Sequence, residues 1–202
     1  MPERVQLTEG NLAAAAEAVG RVLRSEGVAF LPAEGVYGLH ARADLPAAMA
    51  RLRAIKGRGP RKGLIGLLAF PSAIETWCGA VPAGARVLVE AHWPGPLTIV
   101  LRAGDAVPRE LLAPNGTVAL RCPGSAFLRA AVSAAGGIVA STSANLEGEP
   151  PAVTAAGPVA EQADLVVDSG PLSGVPSTVV AVDGDSVRVL REGAVRIGPG
   201  RP

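Results

Sequence analysis

Leu12, Ala16, Val19 and Leu23 recur at helical spacing, which predicts a helix across residues 9–25 with Thr8 as its cap and Gly27 as its stop. Val28 to Leu31 is a continuous apolar run, read as a buried strand that Pro32 ends. Asp44 followed by Pro46 is a cap and first-turn signal for a second helix, reaching about Lys56. That helix turns Leu45, Met49, Leu52 and Ile55 inward and Arg51 and Arg53 outward. Leu64 to Ala69 predicts another buried strand, and Pro71 to Trp77 and Pro82 to His92 predict helices. Strands follow at Leu97 to Arg102 and Thr117 to Arg121, then an amphipathic helix at Ser125 to Ala134 and a strand at Ile138 to Ala140. Leu146 to Pro158 reads as a mobile loop. The last strands are Leu165 to Asp168, Thr178 to Val182 and Val187 to Leu190, the final two joined by an Asp-Gly turn at 183–184. Helices and strands interleave first and strands dominate later, which predicts one α/β domain on a mixed sheet over residues 1–202, with its core at about 8–197 and a frayed tail, GPGRP.

Composition agrees with a packed domain: of 202 residues, 49% are hydrophobic and 18% charged, which excludes disorder. Aromatics are only 3%, so the core must be built from Ala, Val, Leu and Ile. The longest uncharged stretch, Ala130 to Leu146, contains Gly136-Gly137, several hydroxyls and Asn145, and is no membrane span. The opening MPERVQLTEGN has no apolar signal region, and Cys78 and Cys122 show no metal spacing; both point to a cytoplasmic protein with reduced thiols. A net charge of +1 excludes a chain that coats nucleic acid, though not a local basic groove. Of 19 basic residues only Lys56 and Lys62 are lysines, both in RLRAIKGRGPRKG. Their clustering reads either as chance or as a place where a compact ammonium serves and a planar guanidinium would not.

The chain has no P-loop, no Rossmann fingerprint and no G-x-S-x-G elbow. His40 and His92 have no Cys or carboxylate at ligand spacing; His40 stays a candidate catalytic residue beside its reading as a packing histidine. Three clusters carry chemistry. LPAEGVYGL, Leu31 to Leu39, follows a strand and reads as a binding loop or a plain turn. In IKGRGPRKG, glycines would let the backbone approach a ligand while Lys56 and Arg58 clamp anionic oxygens; the other reading, cations favoured at a helix C-terminus, explains Lys56 but not the cations beyond it. In IVASTSANLEGEPP, a strand runs into Ser141, Thr142, Ser143 and Asn145, read as a rim for phosphate, carboxylate or adenine or as an Asx/Ser turn; Ser177 and Thr178 could add further hydroxyls. Together they predict a small anionic substrate or nucleotide handled without a P-loop.

The order PAEGVYGL, AIKGRGPRKGLI, HWPGPLTIVL, TVALRCP, ASTSAN-x-x-G, PSTVV and LREGA resembles the YrdC family, from about Gly27 to Ile197. The resemblance implies a twisted, mostly open sheet with flanking helices and a positively charged concave face. It implies a synthase joining L-threonine, bicarbonate and ATP, with Mg²⁺ on the phosphates, into threonylcarbamoyl-AMP and pyrophosphate. The product serves the threonylcarbamoyl modification of adenosine beside the tRNA anticodon, through a downstream transferase complex. Lys56, Arg58, Ser143 and Asn145 match the catalytic K-x-R and S-x-N pairs. By the same resemblance those four bind ATP with Arg121, Ser141, Ser177 and Arg191, and Ala33, Glu34, Tyr37, Arg58 and Arg121 form the threonine side. No side chain is expected to ligate the metal directly. Ala33 and Gly35 stand where the family's P-T-[DE]-T-V-Y-G-L has threonines, which bears on amino-acid specificity. The alternatives are a relative that binds tRNA or double-stranded RNA through Arg51, Arg53, Arg58, Arg61 and Lys62 without synthesis, a synthase of altered amino-acid specificity, and an O-carbamoyl transferase accessory domain.

Overall fold

The computed structural model describes residues 1–57, 64–146 and 148–198. In chain order its strands are β1 (Glu3–Gln6), β2 (Ala29–Ala33), β3 (Val36–Arg42), β4 (Ile65–Leu67), β5 (Leu97–Arg102), β6 (Thr117–Arg121), β7 (Val139–Ser143), β8 (Leu165–Asp168), β9 (Thr178–Asp183) and β10 (Ser186–Arg191). They form one sheet in the order β1-β8-β2-β3-β7-β4-β6-β5-β9-β10. Parallel and antiparallel pairs mix, as in β2 with β8 and β2 with β3. The helices among the described residues are α1 (Leu12–Arg24), α2 (Pro46–Lys56), α3 (Ile74–Trp77), α4 (Ala83–His92) and α5 (Ala126–Ala135). This is a single α/β domain on an open mixed sheet. No helix among the described residues is long and apolar enough to cross a membrane.

Strand alternation divides the core into two layers. Ala29, Leu31, Leu165 and Val167 face one side, where Val19 and Leu23 of α1 and Phe127, Leu128 and Val132 of α5 cover them. Phe30 and Val166, one residue out of step, face the larger cluster with Met49, Leu52, Leu97 and Ile99. α1 and α5 cross at Gly20, where a Cβ would stand 2.6 Å from the Ala134 Cβ, so the close approach requires glycine there. The two helices cover only part of their face. The remainder, over β4, β5, β6 and β9, is an open trough lined by Ile65, Val100, Ala119 and Val179.

Several elements depart from the expected bounds, each for a local reason. A 3-10 turn at Glu9–Asn11 delays α1, because Asn11 Oδ1 accepts the Thr8 N–H (2.8 Å). Asp44 does not cap α2; it pairs with Arg42 (Nε–Oδ1 2.7 Å), and the N-cap is Leu45 without a side-chain bond. Pro32 does not end β2, which continues to Ala33 opposite Val36. Pairing of β2 with β8 stops at Phe30, so the ladder asks no donor of Pro32 on that side. The predicted loop at Leu31 to Leu39 is a hairpin, β2 and β3 turning at Glu34-Gly35. Ser141 and Ser143 lie within β7 rather than beyond its end. The 146–158 segment has no helix or strand among its described residues. β1 precedes the expected core, and residues 199–202 of the expected tail lie outside the described residues.

Candidate functional site

The side chains gather where the helix-covered face gives way to the trough. A cavity of about 160 Å³ opens there, lined by Ala33, Gly38, Arg121, Ser141, Ser143 and Ser177 among others. Arg191 also lines it and reaches the adjoining cavity, of about 250 Å³, between β5, β6 and β9.

Lys56 ends α2 just before Gly57, whose φ of +65° is left-handed, so glycine suits the turn that stops the helix. Its side chain is 1% exposed. Among its contacts, Nζ donates to the Ser143 carbonyl (2.5 Å), to Ser143 Oγ (3.3 Å) and to Asn145 Oδ1. Ser143 Oγ in turn donates to Asn145 Oδ1 (2.6 Å). The Asn145 amide nitrogen donates to the carbonyls of Leu146 (2.9 Å) and Glu149 (2.7 Å). A buried ammonium needs such acceptors to offset its desolvation. Lys56 of one motif thus joins Ser143 and Asn145 of the other in one network. Arg58, its expected companion, lies outside the described residues, as do Arg61 and Lys62.

Arg121 ends β6 and is 6% exposed. Its Nε donates to the Gly95 carbonyl (3.2 Å), which places HWPGP beside the site. Burial, then the like charge of Arg191, pushes its guanidinium down to about 10, so it stays charged at neutral pH. Its ion-pair partner is Glu34. Glu34 sits in the hairpin turn at φ +71° and also accepts from the N–H groups of Gly124 and Ser125 (3.1 Å to the latter) at the start of α5. A carboxylate at a helix N-terminus meets unpaired donors and the positive end of the dipole. Glu34 is therefore committed to Arg121 and α5, an arrangement the sequence did not reveal.

Arg191 closes β10 and donates to Ser177, by Nη2 to its carbonyl (2.7 Å) and to its Oγ (3.1 Å). Burial lowers the Arg191 pKa. Ser177 Oγ is also 3.0 Å from Thr98 Oγ1, a neighbour missed in the sequence because strand residues of mixed polarity carry no motif. Ser141 Oγ is 3.1 Å from His40 Nε2. Tyr37 lines the cavity, yet its ring stacks on Phe30 and its hydroxyl donates to the Gly170 carbonyl (2.7 Å), away from the rim. Arg51 and Arg53, expected to grip RNA, pair with Asp164 and Glu110. No group of three His, Cys, Asp or Glu among the described residues is placed to hold a metal ion.

The site therefore presents the buried Arg121 guanidinium, the exposed Arg191 guanidinium and several hydroxyls around a small opening, with the buried Lys56 ammonium bonded to Ser143, an environment suited to anionic groups and to hydrogen-bond donors. The family model Sua5_yciO_yrdC, described as "Telomere recombination", matches residues 21–193. The chain is 36% identical over 176 residues to the threonylcarbamoyl-AMP synthase of Alkalilimnicola ehrlichii, covering 84% of this chain and 90% of that protein. It is 37% identical to the Bacillus subtilis protein of the same name, covering 89% of this chain and 53% of that one. Escherichia coli YciO matches with a TM-score of 0.84 at 25% identity, over 100% of this chain and 99% of that one. P. abyssi Sua5, solved in complex with L-threonine, matches with a TM-score of 0.83 at 30% identity, over 96% of this chain and 57% of that one. The chain thus spans little more than half the length of the B. subtilis and P. abyssi proteins. On the family match over most of its length and these relatives, the chain belongs to the Sua5–YciO–YrdC family.

Proposed function

We propose that the protein is a threonylcarbamoyl-AMP synthase, a nucleotidyltransferase that uses L-threonine, bicarbonate and ATP. The observation that carries this reading is the contact of the Lys56 ammonium with both Ser143 and Asn145, of which Ser143 lines a cavity shared with Arg121 and Arg191. The relatives named threonylcarbamoyl-AMP synthase support it.

The reaction is balanced in two steps. The amine of threonine attacks bicarbonate, and water leaves as the carbamate forms. A carbamate oxygen then attacks the α-phosphorus of ATP, and pyrophosphate leaves. Such a displacement needs positioning and charge neutralisation more than a strong acid or base. Arg121 and Arg191 hold anionic oxygens in the cavity, while Lys56 and, by resemblance, Arg58 meet charge that develops at the transferred group. Ser143, Asn145 and Ser177 orient the reacting groups, with Ala33, Glu34 and Tyr37 on the amino-acid side. In that role Glu34 works by fixing Arg121, and Tyr37 by fixing the strand that bears it. Mg²⁺ carried by ATP would screen the charge of its phosphates. The polar side chains that line the cavity are cations and hydroxyls, a donor set suited to an ion that would come in on the nucleotide.

The product passes to a transferase complex that modifies adenosine beside the tRNA anticodon. Of the cations named for the RNA-binding alternative, Arg51 and Arg53 are engaged in ion pairs with Asp164 and Glu110, and Arg58, Arg61 and Lys62 lie outside the described residues. Pyrophosphate release with each substrate omitted in turn tests the proposal. Release that needs ATP, bicarbonate and L-threonine together is expected; release independent of the amino acid overturns it.

A further inference from the structure

Behind Ser141 lies a residue for which the proposed chemistry has no use. His40, on β3, stands directly opposite Ser141 on β7 and is wholly buried. Its Nε2 is 3.1 Å from Ser141 Oγ, and its Nδ1 is 3.1 Å from the Gly38 carbonyl oxygen. A carbonyl only accepts, so Nδ1 carries the ring proton. Burial lowers the ring's pKa to about 4, against the opposing effect of the Gly38 and Ala29 backbones, so the imidazole is neutral near pH 7. A neutral ring protonated at Nδ1 offers a bare lone pair at Nε2. The Ser141 hydroxyl hydrogen must then point at His40. Gly38 leaves room for this ring: a Cβ there would come within 2.9 Å of His40 Cε1.

This orientation limits what Ser141 can bind. Ser141 lines the cavity, and with its proton turned toward His40 its hydroxyl has only lone pairs left for a ligand. Arg121 and Arg191, in the same cavity, are the cations there that suit anionic groups. We infer that His40 is a positioning residue that holds Ser141 as a dedicated hydrogen-bond acceptor, and that Ser141 takes an N–H or O–H of the amino-acid substrate rather than a phosphate oxygen. The inference rests on the synthase reading for the identity of that substrate. Threonine has two such donors, the amine and the side-chain hydroxyl.

The two ends of the ring can be separated by substitution. His40→Gln places an amide oxygen where Nε2 stands, so Ser141 keeps its partner. His40→Asn reaches the Gly38 carbonyl and abandons Ser141. His40→Asn and Ser141→Ala are each expected to raise the KM for L-threonine ~10-fold with the KM for ATP unchanged, and His40→Gln to stay near the wild type. The double variant Ser141→Ala with His40→Asn is expected to be no worse than Ser141→Ala alone. L-2-aminobutyrate, which lacks the hydroxyl, tells the two donors apart. If Ser141 reads the O–H, Ser141→Ala loses discrimination between the two amino acids; if it reads the N–H, both weaken equally. Nitrogen NMR of the unliganded protein should show His40 protonated at Nδ1, with an Nε2 resonance that moves in Ser141→Ala. A proton on Nε2, or a rise in the KM for ATP instead of threonine, overturns the inference. A wild type that turns over no amino acid refutes the synthase reading instead; NMR still decides the tautomer, and equilibrium binding of L-threonine to His40→Asn still decides the contact.

Discussion

The Lys56 ammonium donates to the Asn145 side-chain oxygen across 89 residues of chain, and that oxygen also accepts from Ser143. The amide nitrogen of Asn145 is held by the carbonyls of Leu146 and Glu149, so its oxygen is fixed toward the lysine. Lys56→Ala leaves buried acceptors without their donor, at about 1–3 kcal/mol of stability. Its effect on turnover should be larger, ~10²-fold in kcat, with nucleotide affinity nearly unchanged. Steady-state kinetics beside nucleotide binding separate the two; a rise in KM alone would mean that Lys56 binds ground state and transition state equally.

Glu34 joins Arg121 to the start of α5. Glu34→Ala leaves a buried guanidinium without its partner and removes the acceptor of the Gly124 and Ser125 N–H groups, which together should cost about 3 kcal/mol, or roughly 6–12 °C in Tm. Thermal unfolding reads this directly. Retention of wild-type Tm would show that Arg121 finds another partner.

Gly35 packs under the segment that carries Pro176 and Ser177. A Cβ at Gly35 would stand 1.7 Å from the Val175 carbonyl oxygen, and the Gly174 N–H donates to the Gly35 carbonyl (2.7 Å). Gly35→Ala should lift that segment from the hairpin and speed hydrogen exchange over 173–177. Unchanged exchange there would mean that the hairpin moves instead.

The His40 pKa, about 4 in the folded protein, lies below the 6.5 of an unfolded chain. Between these values the unfolded state binds the extra proton, so stability is full above pH 6.5 and falls as pH drops toward 4. The loss is about 3 kcal/mol. Asp44, whose carboxyl the Arg42 guanidinium holds below its ordinary 3.8, loses its contribution only at lower pH. Urea unfolding at several pH values should show this slope in the wild type and a reduced one in His40→Gln.

The site was legible in part, and the divide is physical. Lys56, Ser143 and Asn145 stood in compact motifs whose residue types already state a chemistry. β5, β6 and β8 matched their expected bounds because apolar runs of strand length between turn residues mark buried strands. β3 was missed because its residues are buried on both faces, which erases the two-residue alternation, and Gly38 interrupts the run. β1 was missed because Glu3–Gln6 is a mostly exposed edge strand whose partner, β8, is remote in sequence. The role of Glu34 and the pairing of His40 with Ser141 depend on strand register, and no local pattern reports a bond between residues 101 apart. Asp44 shows the converse: a sound capping signal gave way to a charge-assisted pair with Arg42.

The most direct test of the synthase reading is the fate of the bicarbonate carbon. Labelled bicarbonate, ATP and Mg²⁺ are incubated with the protein, with and without L-threonine, and the nucleotides are separated at once. The account predicts label in an adenylate that forms only when threonine is present, in step with pyrophosphate release, and that is lost in Lys56→Ala. Pyrophosphate released with no labelled adenylate, or labelled adenylate formed without any amino acid, would contradict it.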